Sequence, residues 1–200
     1  IAGMKNVRQR QFWIHDYLSV CPGYNLLRND IVFCGAPAAG SQACGICVYG
    51  AGRADLLART GKLFAGRSFE VVAPSDSAMA IWRASSSYPV GESSVRPHRT
   101  PDAAKRPERR GDDGVVRIAF LGYLTMQKGW NVFVGLLDRV FGSDGYRFYV
   151  LGKENPDDER VEWIKVTLNG ADNSGMVSAV AENGIDYVIC WSLCPETFSF

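Results

Sequence analysis

Short apolar runs closed by glycine or turn residues alternate along this chain with stretches whose apolar positions fall at helical spacing. Gln11-Phe12-Trp13-Ile14 reads as a brief strand ending at His15-Asp16-Tyr17. Leu56, Leu57, Ala58, Leu63 and Phe64, with Arg53, Arg59 and Lys62 opposite, predict an amphipathic helix over 51–62 that Gly66 closes. Phe69 to Ala73 is then a strand, and Pro74-Ser75-Asp76 opens a short helix carrying Met79, Ile81 and Trp82. From Val115 the alternation is regular. A strand over 115–121 ends at Gly122, a polar loop holds Thr125, Gln127 and Lys128, and a helix over 129–141 shows a stripe of Trp130, Phe133, Leu136, Leu137 and Val140. Strands over 146–151, 161–168 and 185–190 follow, with a helix over 176–181 before the last. Such βαβ units predict an α/β fold with a parallel sheet and right-handed crossovers.

Composition divides the chain. Residues 1–88 read as the latter part of one Rossmann-like domain, with a cysteine-rich loop block at 18–50, and 115–200 as the first part of a second. Between them, 89–114 carries Pro89, Pro97, Pro101 and Pro107 among six Arg and Lys residues with almost no large apolar side chain, which reads as an interdomain linker. Its basic run also leaves peripheral contact with an acidic membrane face open. Net charge +1 disfavours nucleic acid as the main partner. No apolar run reaches the roughly 18 residues of a membrane span, and no signal-peptide core is evident, so the expected location is cytoplasmic, with the inner membrane face as the peripheral option.

Four cysteines, Cys21, Cys34, Cys44 and Cys47, fall in the loop block, and Cys44-Gly45-Ile46-Cys47 is a C-x-x-C knuckle. Structural zinc is the preferred reading for the four thiolates. A disulfide needs an oxidising compartment, a redox pair wants its C-x-x-C at a helix start after a strand, and small buried side chains are the plain alternative.

The chemistry gathers at the carboxyl ends of the second domain's strands, where open α/β sheets bind ligands. Gly122, Gly152, Gly170, Lys128 and Cys194-Pro195-Glu196 are all expected on that edge. A lysine in the first strand–helix loop suits a diphosphate, and glycines let backbone approach it. Glu196, followed by Thr197, Phe198 and Ser199 at an expected helix start, can hold sugar hydroxyls while helix N–H groups hold phosphate. The G-x-G-x-x-G fingerprint and the Walker loop are both absent, which disfavours NAD, FAD and ATP hydrolysis. His15, at the end of the first strand, is on its own more often structural than catalytic.

Three motifs, FWIHDYLSVCPGYNLL with its later cysteines, FLGYLTMQKGW, and IDYVICWSLCPETFSF, give the chain a resemblance to the middle of GT-B glycosyltransferases of the retaining family 4 group. The resemblance covers essentially the whole chain and implies two Rossmann-like domains facing a cleft. It implies an enzyme of polysaccharide biosynthesis that moves a sugar from a nucleotide-diphosphate-sugar donor to a glycan or lipid-linked acceptor, with retention of configuration. By the same resemblance Glu196 is the first Glu of an E-x7-E signature and contacts the donor sugar, Lys128 contacts the diphosphate, and His15 lies near the transferred sugar. Gly122, Thr197, Phe198 and Ser199 complete the donor side. No catalytic metal is implied, so zinc at the cysteines would be structural.

One position departs from the pattern. Where the family commonly has Gly-Arg-Leu, this chain has Gly122-Tyr123-Leu124. That departure supports the alternative of a non-catalytic nucleotide- or glycan-binding module of the same fold. The second Glu of the signature would fall beyond Phe200 and the glycine-rich acceptor loop before Ile1, so the chain is expected to be an internal fragment and inactive in isolation.

Overall fold

The computed structural model describes residues 9–98, 113–167 and 174–197. The chain divides into a first unit, residues 1–102 with 194–200, and a second unit, residues 103–193. Both are α/β with parallel sheets, of the Rossmann-like kind.

In the first unit, strand β1 (Gln11–Trp13) leads into a hairpin of β2 (Leu27–Arg28) and β3 (Val32–Phe33), then α1 (Gln42–Gly45) and α2 (Gly50–Phe64). Strand β4 (Glu70–Ala73), α3 (Asp76–Ser85) and β5 (Glu92–Val95) follow. The sheet order is β1-β4-β5, all parallel, with Phe12 opposite Val71 and Val71 opposite Ser93. Strand alternation sends Phe12, Ile14, Val71 and Ala73 to one face, where they pack with Phe64, Phe69, Met79 and Trp82. The Trp82 indole donates to Ser19 Oγ at 2.8 Å, so the largest buried ring leaves no polar atom unmatched. The other face of β4 carries Glu70, whose carboxylate accepts from Gln9 at 2.7 Å, Gln11 at 2.8 Å and Ser94 at 2.9 Å, and pairs with Arg96.

Two expectations change here. The stretch 89–114, read as a linker, contains β5, paired along its length with β4. Its sequence Glu92-Ser93-Ser94-Val95 hides a strand because an edge strand with mostly exposed side chains needs no apolar run. Residues 99–112 of that stretch lie outside the described residues. Arg53, placed on the polar face of its helix by periodicity, is 2% exposed and turned into the cysteine block.

In the second unit, β6 (Val116–Leu121), α4 (Trp130–Val140), β7 (Tyr146–Gly152), β8 (Glu162–Lys165), α5 (Ser174–Glu182) and β9 (Tyr187–Ile189) form a four-stranded parallel sheet of order β8-β7-β6-β9. Both faces are covered. Phe120, Phe148 and Val150 pack under α4 through Phe133 and Leu137, while Ala119, Tyr149 and Leu151 pack under α5 through Ala179. This two-sided burial is why Phe148-Tyr149-Val150-Leu151 reads as an unbroken apolar run. The third expected strand is shorter than 161–168, and Leu168 and Gly170 lie outside the described residues.

Candidate functional site

In chain order the second unit's strands stand third, second, first, fourth, so the winding direction reverses between β6 and β9. A crevice opens beyond the carboxyl ends of the strands at such a reversal. The loop leaving β6 begins at Gly122, with φ 104°, a conformation that suits glycine, and open space where a Cβ would stand. A Cβ on Gly152, the last residue of β7, would stand 2.8 Å from the Gly122 carbonyl oxygen, so the two strand ends abut through bare backbone.

Thr125 then caps a 3-10 turn, Met126–Lys128, its hydroxyl accepting from the Lys128 N–H at 3.4 Å. The Lys128 side chain is exposed on this turn. The turn is tied to the segment after β9: the Leu193 N–H donates to the Gln127 carbonyl at 2.9 Å and Ser192 Oγ to the same oxygen at 3.3 Å. The Trp130, Val132 and Phe133 amides at the start of α4 are taken by the carbonyls of Thr125 and Gly129. An anion bound at this sheet edge would therefore meet the Lys128 ammonium more than the helix terminus. Tyr123 and Trp191, on the two loops, are 60% and 57% exposed.

The first unit holds the other expected site residues. His15 follows the carboxyl end of β1 and is exposed, its ring stacked at 5.3 Å on His98 and at 6.1 Å on Trp13. Its carbonyl accepts from Thr197 Oγ1 at 2.5 Å, and the Thr197 carbonyl accepts from Ser75 Oγ at 3.0 Å, where Ser75 also caps α3. Glu196, half-buried beside Thr197, thus counts with the first unit and not with the sheet whose last strand precedes it. Phe198 and Ser199, with the helix expected to begin there, lie outside the described residues. Nearby, burial and then the Cys194 thiol push the Tyr17 phenol up to about 12, and among the described residues its buried hydroxyl has no hydrogen-bond partner.

Cys21, Cys34, Cys44 and Cys47 line one narrow pocket in the first unit together with Arg53. Burial raises the Cys21 thiol, and the neighbouring Cys34 and Cys47 raise it further against a lowering contact from the Gly23 backbone and the Arg53 charge. Arg53 donates to the carbonyls of Val20 at 3.0 Å and Ala36 at 3.0 Å, to that of Pro37, and to Cys44 Sγ at 2.9 Å. All four thiols are free, and as placed no three Cys, His, Asp or Glu side chains among the described residues form a closed ligand set.

The structure thus brings the four cysteines round one pocket, the Glu196–Thr197 segment to His15, and Gly122 and Lys128 onto one loop. His15, Glu196 and Thr197 belong to one unit, Gly122 and Lys128 to the other. Sequence reasoning missed Arg53, His98 and the Tyr17 hydroxyl. Only Arg53 left a signal, as a cation three residues from the end of a cysteine- and glycine-rich block. No helix among the described residues is long and apolar enough to cross a membrane. Comparison with known proteins returns no match, either to a family model or to a curated protein.

Proposed function

We propose that the chain belongs to a retaining glycosyltransferase of the GT-B kind, taking a nucleotide-diphosphate-sugar as donor and a glycan or lipid-linked acceptor. The observation that carries the reading is the reversal point between β6 and β9, where an open glycine at 122 and the exposed Lys128 share one loop. In this reading the crevice takes the diphosphate: backbone at Gly122 approaches it and Lys128 neutralises the charge that develops on it as the glycosidic bond breaks. Tyr123 or Trp191 offers a flat face to the base or the sugar ring. Glu196 serves the donor sugar's hydroxyls, and His15 lies on the side of the transferred sugar. The transition state is oxocarbenium-like, and its leaving group is the nucleoside diphosphate.

The test is an assay of the full-length gene product against a panel of nucleotide sugars, following release of nucleoside diphosphate and calorimetric binding together. Acceptor-dependent release supports transfer. Saturable binding of nucleoside diphosphate without release supports the second reading, a binding module, which Tyr123 in place of the family's arginine favours. Neither binding nor release would remove both.

A further inference from the structure

We propose that Cys21, Cys34, Cys44 and Cys47 form a structural tetrathiolate site for zinc, with Arg53 as the charge-compensating donor to its sulfurs. Three observations converge on it. First, the thiols come from separate segments, the loop after β1, the end of the hairpin, α1 and the turn after it, yet all line one pocket. Its free volume is only about 10 Å³, at the lower limit for holding a water. A dry, sulfur-lined pocket excludes the hard cations that keep water and oxygen ligands and suits a thiophilic ion bonded at about 2.3 Å.

Second, the block from 14 to 49 has little regular structure, two strands of two residues each and a helix of four. Leu26, Asn29, Asp30 and Ala36 there hold left-handed backbone with φ between 48° and 62°. Left-handed backbone is strained for a residue with a Cβ such as Leu26 or Ala36, and a cross-link between the block's segments would help hold it beside the core that the block shares with β4 and α3.

Third, Arg53 is a buried cation, and among the described residues no carboxylate pairs with it. Its N–H reaches Cys44 Sγ. A zinc ion with four thiolates carries two net negative charges, which a guanidinium both offsets and hydrogen-bonds. A pair of disulfides is neutral and leaves the buried cation uncompensated. Zinc binding would displace four thiol protons to solvent, with no change of oxidation state.

The experiment uses the full-length chain purified under reducing conditions without added metal. Elemental analysis should find a single zinc per chain that survives dialysis. Cobalt(II) added after chelation should give the strong visible bands of a tetrahedral thiolate centre. Alkylation mapped by mass spectrometry should spare these four thiols until a strong chelator is present. Cys190→Ser should bind as the wild type does, and Cys47→Ser should not. A folded wild type that takes up neither zinc nor cobalt, with four alkylatable thiols, overturns the proposal, as does finding the four joined in disulfides. Because the wild type decides each readout, a misfolded variant leaves the test intact.

Discussion

A Cβ on Gly129 would stand 1.9 Å from the carbonyl oxygen of Trp191. The loop after the first strand of the second unit and the segment after its fourth therefore meet backbone against backbone, at the point where the sheet reverses its winding. Gly129 also holds φ 85°, a left-handed conformation that a side chain resists. Both effects penalise any larger residue. Gly129→Ala should destabilise the second unit by roughly 2–4 kcal/mol, the sum of left-handed strain and overpacking. Chemical denaturation of the variant checks this, and a loss below about 1 kcal/mol would mean that the two segments separate easily.

Lys128 tests the proposed chemistry separately from the fold. Its side chain is exposed, so its removal should change stability by less than about 1 kcal/mol. If it meets the diphosphate, Lys128→Ala should lower kcat by about 10²–10³, because a preorganised contact to developing charge is lost. Lys128→Arg should recover part of that, since charge matters more than shape for a single-point contact. Steady-state kinetics with an identified donor decide it, and an unchanged kcat in the alanine variant would place the diphosphate elsewhere.

What the sequence revealed follows from how each element is buried. The second unit was legible because its sheet is covered on both faces, so β6 and β7 appear as apolar runs and α4 as a stripe with Phe133 and Leu137 at full burial. Strand β5 was not, because Ser93 and Ser94 make its cross-strand partners without apolar side chains. The grouping of four cysteines could be read from their spacing. Arg53 could not be assigned to them, because helical periodicity reports which positions are polar and not whether a polar side chain finds buried carbonyls to satisfy. Glu196 was expected at the edge of the second sheet, and its neighbour Thr197 donates to the His15 carbonyl of the first unit, a contact that no spacing in the sequence announces.

Glu70 should make the first unit sensitive to acid. Hydrogen bonds from Gln11 and Ser94, outweighing the opposing effect of burial and reinforced by the Arg96 charge and Gln9, hold its carboxyl below the ordinary 4.5. A carboxyl whose folded value is depressed stabilises the fold above the unfolded value, and that stability is lost as pH falls through the folded one. The thermal midpoint of the wild type should therefore exceed that of Glu70→Gln near neutrality, and the gap should close as pH falls below 4.5. A gap that stays constant into strong acid would show that Glu70 acts through shape alone.

The stability role of Arg53 can be separated from its relation to any metal. Its guanidinium satisfies the carbonyls of Val20 and of the adjacent Ala36 and Pro37, so it joins two segments of the block to α2. Arg53→Met keeps most of the apolar stem but leaves those acceptors buried and unmatched, at about 1–3 kcal/mol for each that water cannot reach. Partial relaxation of the loop limits the total, so a loss of roughly 3–5 kcal/mol is expected for the metal-free protein. Arg53→Lys keeps the charge, but a single ammonium lacks the planar fork that spans carbonyls on two segments, so it should recover less than half of the loss. Urea unfolding under chelating, reducing conditions measures both. Equal stability of the lysine variant and the wild type would mean that charge, and not the fork's geometry, holds the block to α2.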